Sequence, residues 1–154
     1  MVYFIVLAAV IVLDRIVKIM VSTGMVPGQS IPVVENVFHI TYIRNTGAAF
    51  SIFEGQRTLL IVIPLVIMAV GLVLLIIKRK TWHPLLNLAI SMICAGGIGN
   101  LADRAVRGYV VDMFDFRFFP VFNVADIFVC IGCGLIVLYV LVIDGRKSKK
   151  SKGK

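Results

Sequence analysis

Four apolar runs, each about long enough to cross a bilayer, constrain this chain more than any other feature. They are approximately Val2–Val21, Thr58–Ile77, Pro84–Leu101 and Val124–Ile143, and a crossing helix takes ~20 apolar residues. Lipid offers no partner to a backbone N–H or C=O, so each run reads as a helix. Hydrophobic residues make up 60% of the chain and mean hydropathy is +1.01, against about half apolar in a soluble domain. The expected fold is a membrane all-α, four-transmembrane-helix bundle. Its 154 residues allow one domain, 1–145, followed by a basic tail, 146–154. The first run has no basic lead and no small-x-small site after it, so it reads as a span rather than a cleaved leader.

Charge orients the bundle. Lys78-Arg79-Lys80 and the tail from Arg146 to Lys154 are the strongest basic clusters. Four spans put both on one side, which is the cytoplasmic side by the excess of Lys and Arg there. Both termini then face the cytoplasm, although Arg15 and Lys18 at the outer end of the first span argue the other way. The net charge of +8 reads as tail anchoring beside an anionic leaflet rather than nucleic-acid binding. The segments Ser22–Arg57 and Ala102–Phe122 become outer connections. The first reads as a small β-like extracytoplasmic sheet at the lipid surface: Val37, His39, Thr41 and Ile43 alternate with Phe38, Ile40 and Tyr42. Pro27-Gly28 and Asn45-Thr46-Gly47 punctuate it as turns.

Polar groups in so apolar a chain are functional candidates. Asp14 and Lys18 stand four apart on one helix face and can pair; Lys18 could equally snorkel to the surface. The third span ends in GGIGNLADR. Its glycines suit close helix contact, Asn100 needs a partner, and Asp103 and Arg104 read as lying at the water boundary. Cys94, Cys130 and Cys133 sit in apolar runs and read as small helix residues, since a zinc site at the CxxC would need further ligands. No metal or cofactor is expected.

Three aspartates follow in GYVVDMFDFRFFPVFNVAD, Gly108 to Asp126. Asn123 reads as an N-cap with Asp126 at the third helical position, where the helix dipole favours a carboxylate. Asp112 follows a short extended run and has no adjacent base. Asp115 reads as a loop residue paired with Arg117. Two carboxylates brought together share a proton, so one can activate water while the other donates to a carbonyl. Asp112 with Asp126 is the best such pair on spacing. A small transporter or proton relay using intramembrane Asp, Lys and Arg stands nearly level with a protease on these grounds. A non-catalytic scaffold or lipid-binding protein is a third reading.

The runs GNLADR, GYVVD and FNVAD, with NTGAAFS at Asn45–Ser51 and the D-x-x-x-K of Asp14 and Lys18, resemble the lipoprotein signal peptidase (signal peptidase II) family along essentially the whole chain. The resemblance implies an aspartyl endopeptidase of the bacterial cytoplasmic membrane. It would free signal peptides from diacylglyceryl-modified prolipoproteins by cutting before the lipidated cysteine. It assigns the catalytic pair to Asp112 and Asp126. Asn45, Gly47, Asn100, Arg104 and Asn123 match substrate-contacting or site-shaping positions, Asp14 and Lys18 match polar residues near the site, and Asp103 matches a structural one. Asp115 matches none. The implied partners are the prolipoprotein and membrane lipids, with no nucleic acid, and four spans could form a complete bundle as a monomer. Gly47 and Gly55 would permit the outer loop to hinge.

Overall fold

In a computed structural model, residues 1–47 and 55–144 are described. Most of the NTGAAFS motif and the basic tail lie outside them. Helix α1 spans Val2–Gly24, strand β1 Ser30–Val34 and strand β2 Phe38–Asn45. Helix α2 follows at Arg57–Lys78, α3 at Pro84–Arg107, strand β3 at Val110–Asp115 and α4 at Val124–Leu138, which continues as a π-helical turn over Tyr139–Asp144.

Among the described residues, three helices are long and apolar enough to cross a membrane: Arg57–Lys78, Pro84–Arg107 and Val124–Ile143. The first expected span does form a helix, of 23 residues. It differs from the others in carrying Asp14, Arg15 and Lys18 within its length. Helix α3 is the central one, 39% buried over its apolar window against 17% for α2 and 6% for the fourth helix. It packs on α1, α2 and α4. The glycines make that possible, as expected. A Cβ on Gly96 would strike the Ala125 carbonyl oxygen of α4, and one on Gly99 would stand 2.6 Å from Asp14 Oδ2 of α1. From the other side, a Cβ on Gly132 would stand 2.6 Å from Ile93.

The strands form one antiparallel sheet in the order β1-β2-β3. Of the alternation at 37–43, residues 38–43 are strand, in β2, while Val37 lies in the turn before it, and Gly28 makes the expected turn with φ +86°. Strand β1 lacked a clear alternating signal; every residue of it is exposed. Residues on successive positions of a strand face opposite ways, and this divides β2 and β3 usefully. Tyr42, Val111 and Met113 are buried together against Val21 at the end of α1. Ile43 pairs with Asp112 and Asn45 with Val110, so Asp112 and Asn45 become diagonal neighbours on the other face.

Two boundaries differ from expectation. Helix α3 runs on to Arg107, where Gly108 closes it with φ +81°, so Asp103 and Arg104 are helical rather than part of an outer connection. Asp115 is the last residue of β3, not a loop residue. Its ion pair with Arg117 exists at 3.0 Å, but Thr41 on β2 also donates to it at 2.8 Å, and this cross-strand bond is what draws it into the sheet.

Candidate active site

Asn123 organises the site. It caps α4: its side chain accepts from the Asp126 N–H at 3.0 Å, and the Asp126 carboxylate accepts from the Asn123 N–H at 3.1 Å. This reciprocal box satisfies helix-end donors that have no intrahelical partner. The remaining Asn123 amide N–H groups then point away from the helix. They donate to Asp112 Oδ1 at 2.6 Å and to Asn100 Oδ1 at 3.1 Å. One residue therefore touches both expected catalytic aspartates.

Each carboxylate has a second amide donor. Asn45 donates to Asp112 Oδ2 at 2.8 Å, and Asn100 donates to Asp126 Oδ1 at 2.8 Å. Asp112 is 2% exposed. Burial pushes its carboxyl up to about 6, with a further push from the charge of Asp126, against the opposing hydrogen bonds from Asn45 and Asn123. Asp115, outside the cleft, is held below the usual carboxylate range: burial alone would raise it, but Thr41 and Arg117 outweigh that.

Asp112 and Asp126 both line a cleft of about 520 Å³ with Asn45, Gly47, Asn100, Arg104 and Asn123. Arg104 donates to the Gly47 carbonyl at 2.6 Å, tying the segment after β2 to the end of α3, while its buried Nε has no hydrogen-bond partner among the described residues. Of the expected site residues, Asp14, Lys18 and Asp103 stand behind the cleft wall rather than in it. Lys18 does not snorkel: it is fully buried, 2.9 Å from Asp14, 2.9 Å from Asp103 and 2.8 Å from Asn100. Asp103 is fully buried too, not at a water boundary, and Arg15 pairs with it at 2.8 Å. That contact supplies the partner for Arg15 that topology alone left unexplained. A third charge on one helix in an apolar run was the available signal. The apolar wall was not legible: Ile43, Val129 and Cys130 line the cleft, and Cys130 follows Asp126 by one helical turn.

A helical membrane frame with a polar cleft beneath a small sheet is the architecture of a bacterial membrane enzyme. Two solved bacterial membrane enzyme structures resemble it with TM-scores of 0.85 and 0.82, at 33% and 32% identity. They cover 91% and 92% of this chain and 87% and 94% of theirs. The family model for signal peptidase (SPase) II matches residues 6–142. A lipoprotein signal peptidase from Halothermothrix orenii is 45% identical over 91% of this chain and 94% of its own length. Those from Brevibacillus brevis and Clostridioides difficile are 40% and 38% identical, over 96% and 95% of this chain and 99% of theirs. The chain belongs to the signal peptidase II family, and is a bacterial membrane peptidase by that membership.

Proposed function

We propose that this protein is an intramembrane aspartic endopeptidase that removes signal peptides from diacylglyceryl-modified prolipoproteins, cutting before the lipidated cysteine, with Asp112 and Asp126 activating water. The observation that carries the reading is Asn123, which holds Asp112 through its side chain and Asp126 through its backbone N–H on one cleft. Two carboxylates facing one cleft can divide the work, one ionised and one protonated. One draws a proton from water while the other donates to the scissile carbonyl. A peptide that leaves its helix to be cut exposes backbone polar groups, which lipid cannot satisfy. Asn45, Asn100, Asn123 and Arg104 are donors and acceptors of the kind such a strand needs, and Arg104 Nε, buried without a partner among the described residues, suits a substrate carbonyl.

The rest of the topology follows from the same reading. Helix α1 is the fourth span: its three charges pair with one another and with α3, so little charge faces lipid. Both termini lie in the cytoplasm, with Lys78, Arg79 and Lys80 on that side, and the cleft opens at the outer face. Residues 1–145 act as a single protease domain, as a monomer. A proton relay is disfavoured because Asp112 stands on a strand at the end of the bundle rather than at mid-membrane.

The test is cleavage of a purified, diacylglyceryl-modified prolipoprotein by wild type, Asp112→Asn, Asp126→Asn and Asp115→Asn. We expect the first two variants to be folded and inactive and the third to cut. Continued cleavage by both dyad variants would sink the reading.

A further inference from the structure

The cluster behind the cleft wall does more than neutralise itself. An ammonium has three donors and no acceptor. Lys18 donates to Asn100 Oδ1 at 2.8 Å and stands in ion-pair contact with Asp14 Oδ2 and Asp103 Oδ2, each at 2.9 Å. The Asn100 amide is thereby fixed with its oxygen toward Lys18, a direction reinforced by the Asn123 donor on the same oxygen. Its NH₂ has then to face Asp126.

The two aspartates are not equivalent in this arrangement. Asp126 stands in the first turn of α4, where the helix dipole favours negative charge, and its two oxygens meet the Asn100 amide and the Asn123 N–H. Asp112 stands on a strand without a helix dipole, and its second donor, Asn45, is held by the Gly47 N–H rather than by a cation. Among the described residues, the charged groups around Asp126 are Asp14 and Lys18 from α1, Asp103 and Arg104 from α3, Asp112 from β3 and Arg44 on the cleft rim from β2. Lys18 and Arg15 balance Asp14 and Asp103, so the cluster is neutral as a whole. Lys18 reaches Asp126 through the Asn100 amide, while its charge also acts on Asp112 in the direction of ionisation, against the larger effect of burial there.

We propose that Lys18 is a positioning residue that, by orienting Asn100, keeps Asp126 the ionised member of the dyad and leaves the shared proton on Asp112. The assignment rests on the dyad reading above. Water then adds to the scissile carbonyl carbon and passes a proton to Asp126, while Asp112 gives its proton to the carbonyl oxygen. When the C–N bond breaks, Asp126 protonates the departing nitrogen, and Asp112 recovers its proton from a hydroxyl of the tetrahedral intermediate.

The test is the double variant Asp14→Asn/Lys18→Met, which removes one charge of each sign and leaves the Arg15–Asp103 pair. On lipidated prolipoprotein, we expect the acidic limb of its kcat/KM profile to move up by at least one pH unit, with the alkaline limb and KM in place. Lys18→Arg, which keeps a cation, should restore most of that shift. A lower rate with both limbs unmoved would reduce Lys18 to a structural residue and overturn the proposal, without touching the dyad. Infrared spectroscopy at pH 5 tests the proton's place without altering the cluster. The protonated-carboxyl band should persist in Asp126→Asn and vanish in Asp112→Asn; the reverse pattern would also overturn it. Cleavage by both dyad variants would instead refute the underlying protease reading.

Discussion

Asn123 Nδ2 lies 2.6 Å from Asp112 Oδ1 while the Asn123 backbone N–H reaches Asp126 Oδ2 at 3.1 Å. A helix cap and an inter-carboxylate bridge are thus the same residue. Asn123→Ala removes both. Loss of the cap alone costs about 1 kcal/mol, whereas loss of general acid–base alignment costs about 100-fold or more in rate. Cleavage should therefore fall by at least 100-fold in a protein that melts only a few degrees lower. Thermal melting in detergent alongside a cleavage assay separates the two effects.

Asp112 gives the fold a pH dependence of unusual sign. Its carboxyl is raised to about 6 from 3.8, so the folded state holds a proton that the unfolded chain releases. This group's contribution to stability is fully present below the unfolded value and is lost as pH rises through about 6. The stability of wild type minus that of Asp112→Asn should decline between pH 4 and pH 7. Denaturant titrations at several pH values measure that slope, and a difference that rises with pH would contradict the assigned burial.

Asp115 behaves oppositely. Its carboxyl is depressed, so what it contributes through Thr41 and Arg117 is present at neutral pH and lost as pH falls through its folded value, below the ordinary 3.8. Asp115→Ala should destabilise the sheet by about 1–2 kcal/mol at pH 7. The gap from wild type should close in strong acid. Proteolysis of the β2–β3 pair followed against pH would show it.

The α3–α4 contact is predicted to be intolerant at one glycine and indifferent at another. A Cβ at Gly96 meets the Ala125 carbonyl, next to Asp126, while one at Gly134 meets nothing. Gly96→Ala should cost about 1–3 kcal/mol by overpacking and lower cleavage at least tenfold. Gly134→Ala should be neutral or stabilising by up to about 1 kcal/mol, from helix propensity. Equal effects at the two positions would mean that the helices can move apart freely.

How far the sequence foretold this depends on how local each signal is. The helices were legible because lipid solvation forces long apolar runs, and the Asn123 cap was legible because it spans only three residues. The strand at Phe38–Asn45 showed through its alternation. The end of α3 did not, since Asp103 looks like a surface charge until Lys18 and Arg15, more than eighty residues earlier, are seen beside it. Lys18 misled in the same way: its length permits an escape to water, and only its three buried partners remove the option. Asp115 reads as a loop residue because Arg117 is near in sequence and Thr41 is not. The cleft's apolar wall at Ile43, Val129 and Cys130 carries no chemical signature at all.

The pairing of α1 with α3 has a consequence for biogenesis. In the four-span arrangement, α1 leaves the ribosome with Asp14, Arg15 and Lys18 before Asn100 and Asp103 exist. Charges cost up to about 2.5–3.5 kcal/mol each in an inserting helix. At roughly 5–20 residues per second, several seconds separate the first helix from the partners that neutralise it. On the proposed four-span reading, the first helix waits in the translocon or at the interface until the third arrives. Topogenesis of this protein is then a delayed, cooperative event, and mutations in the third helix should surface as failures to insert the first.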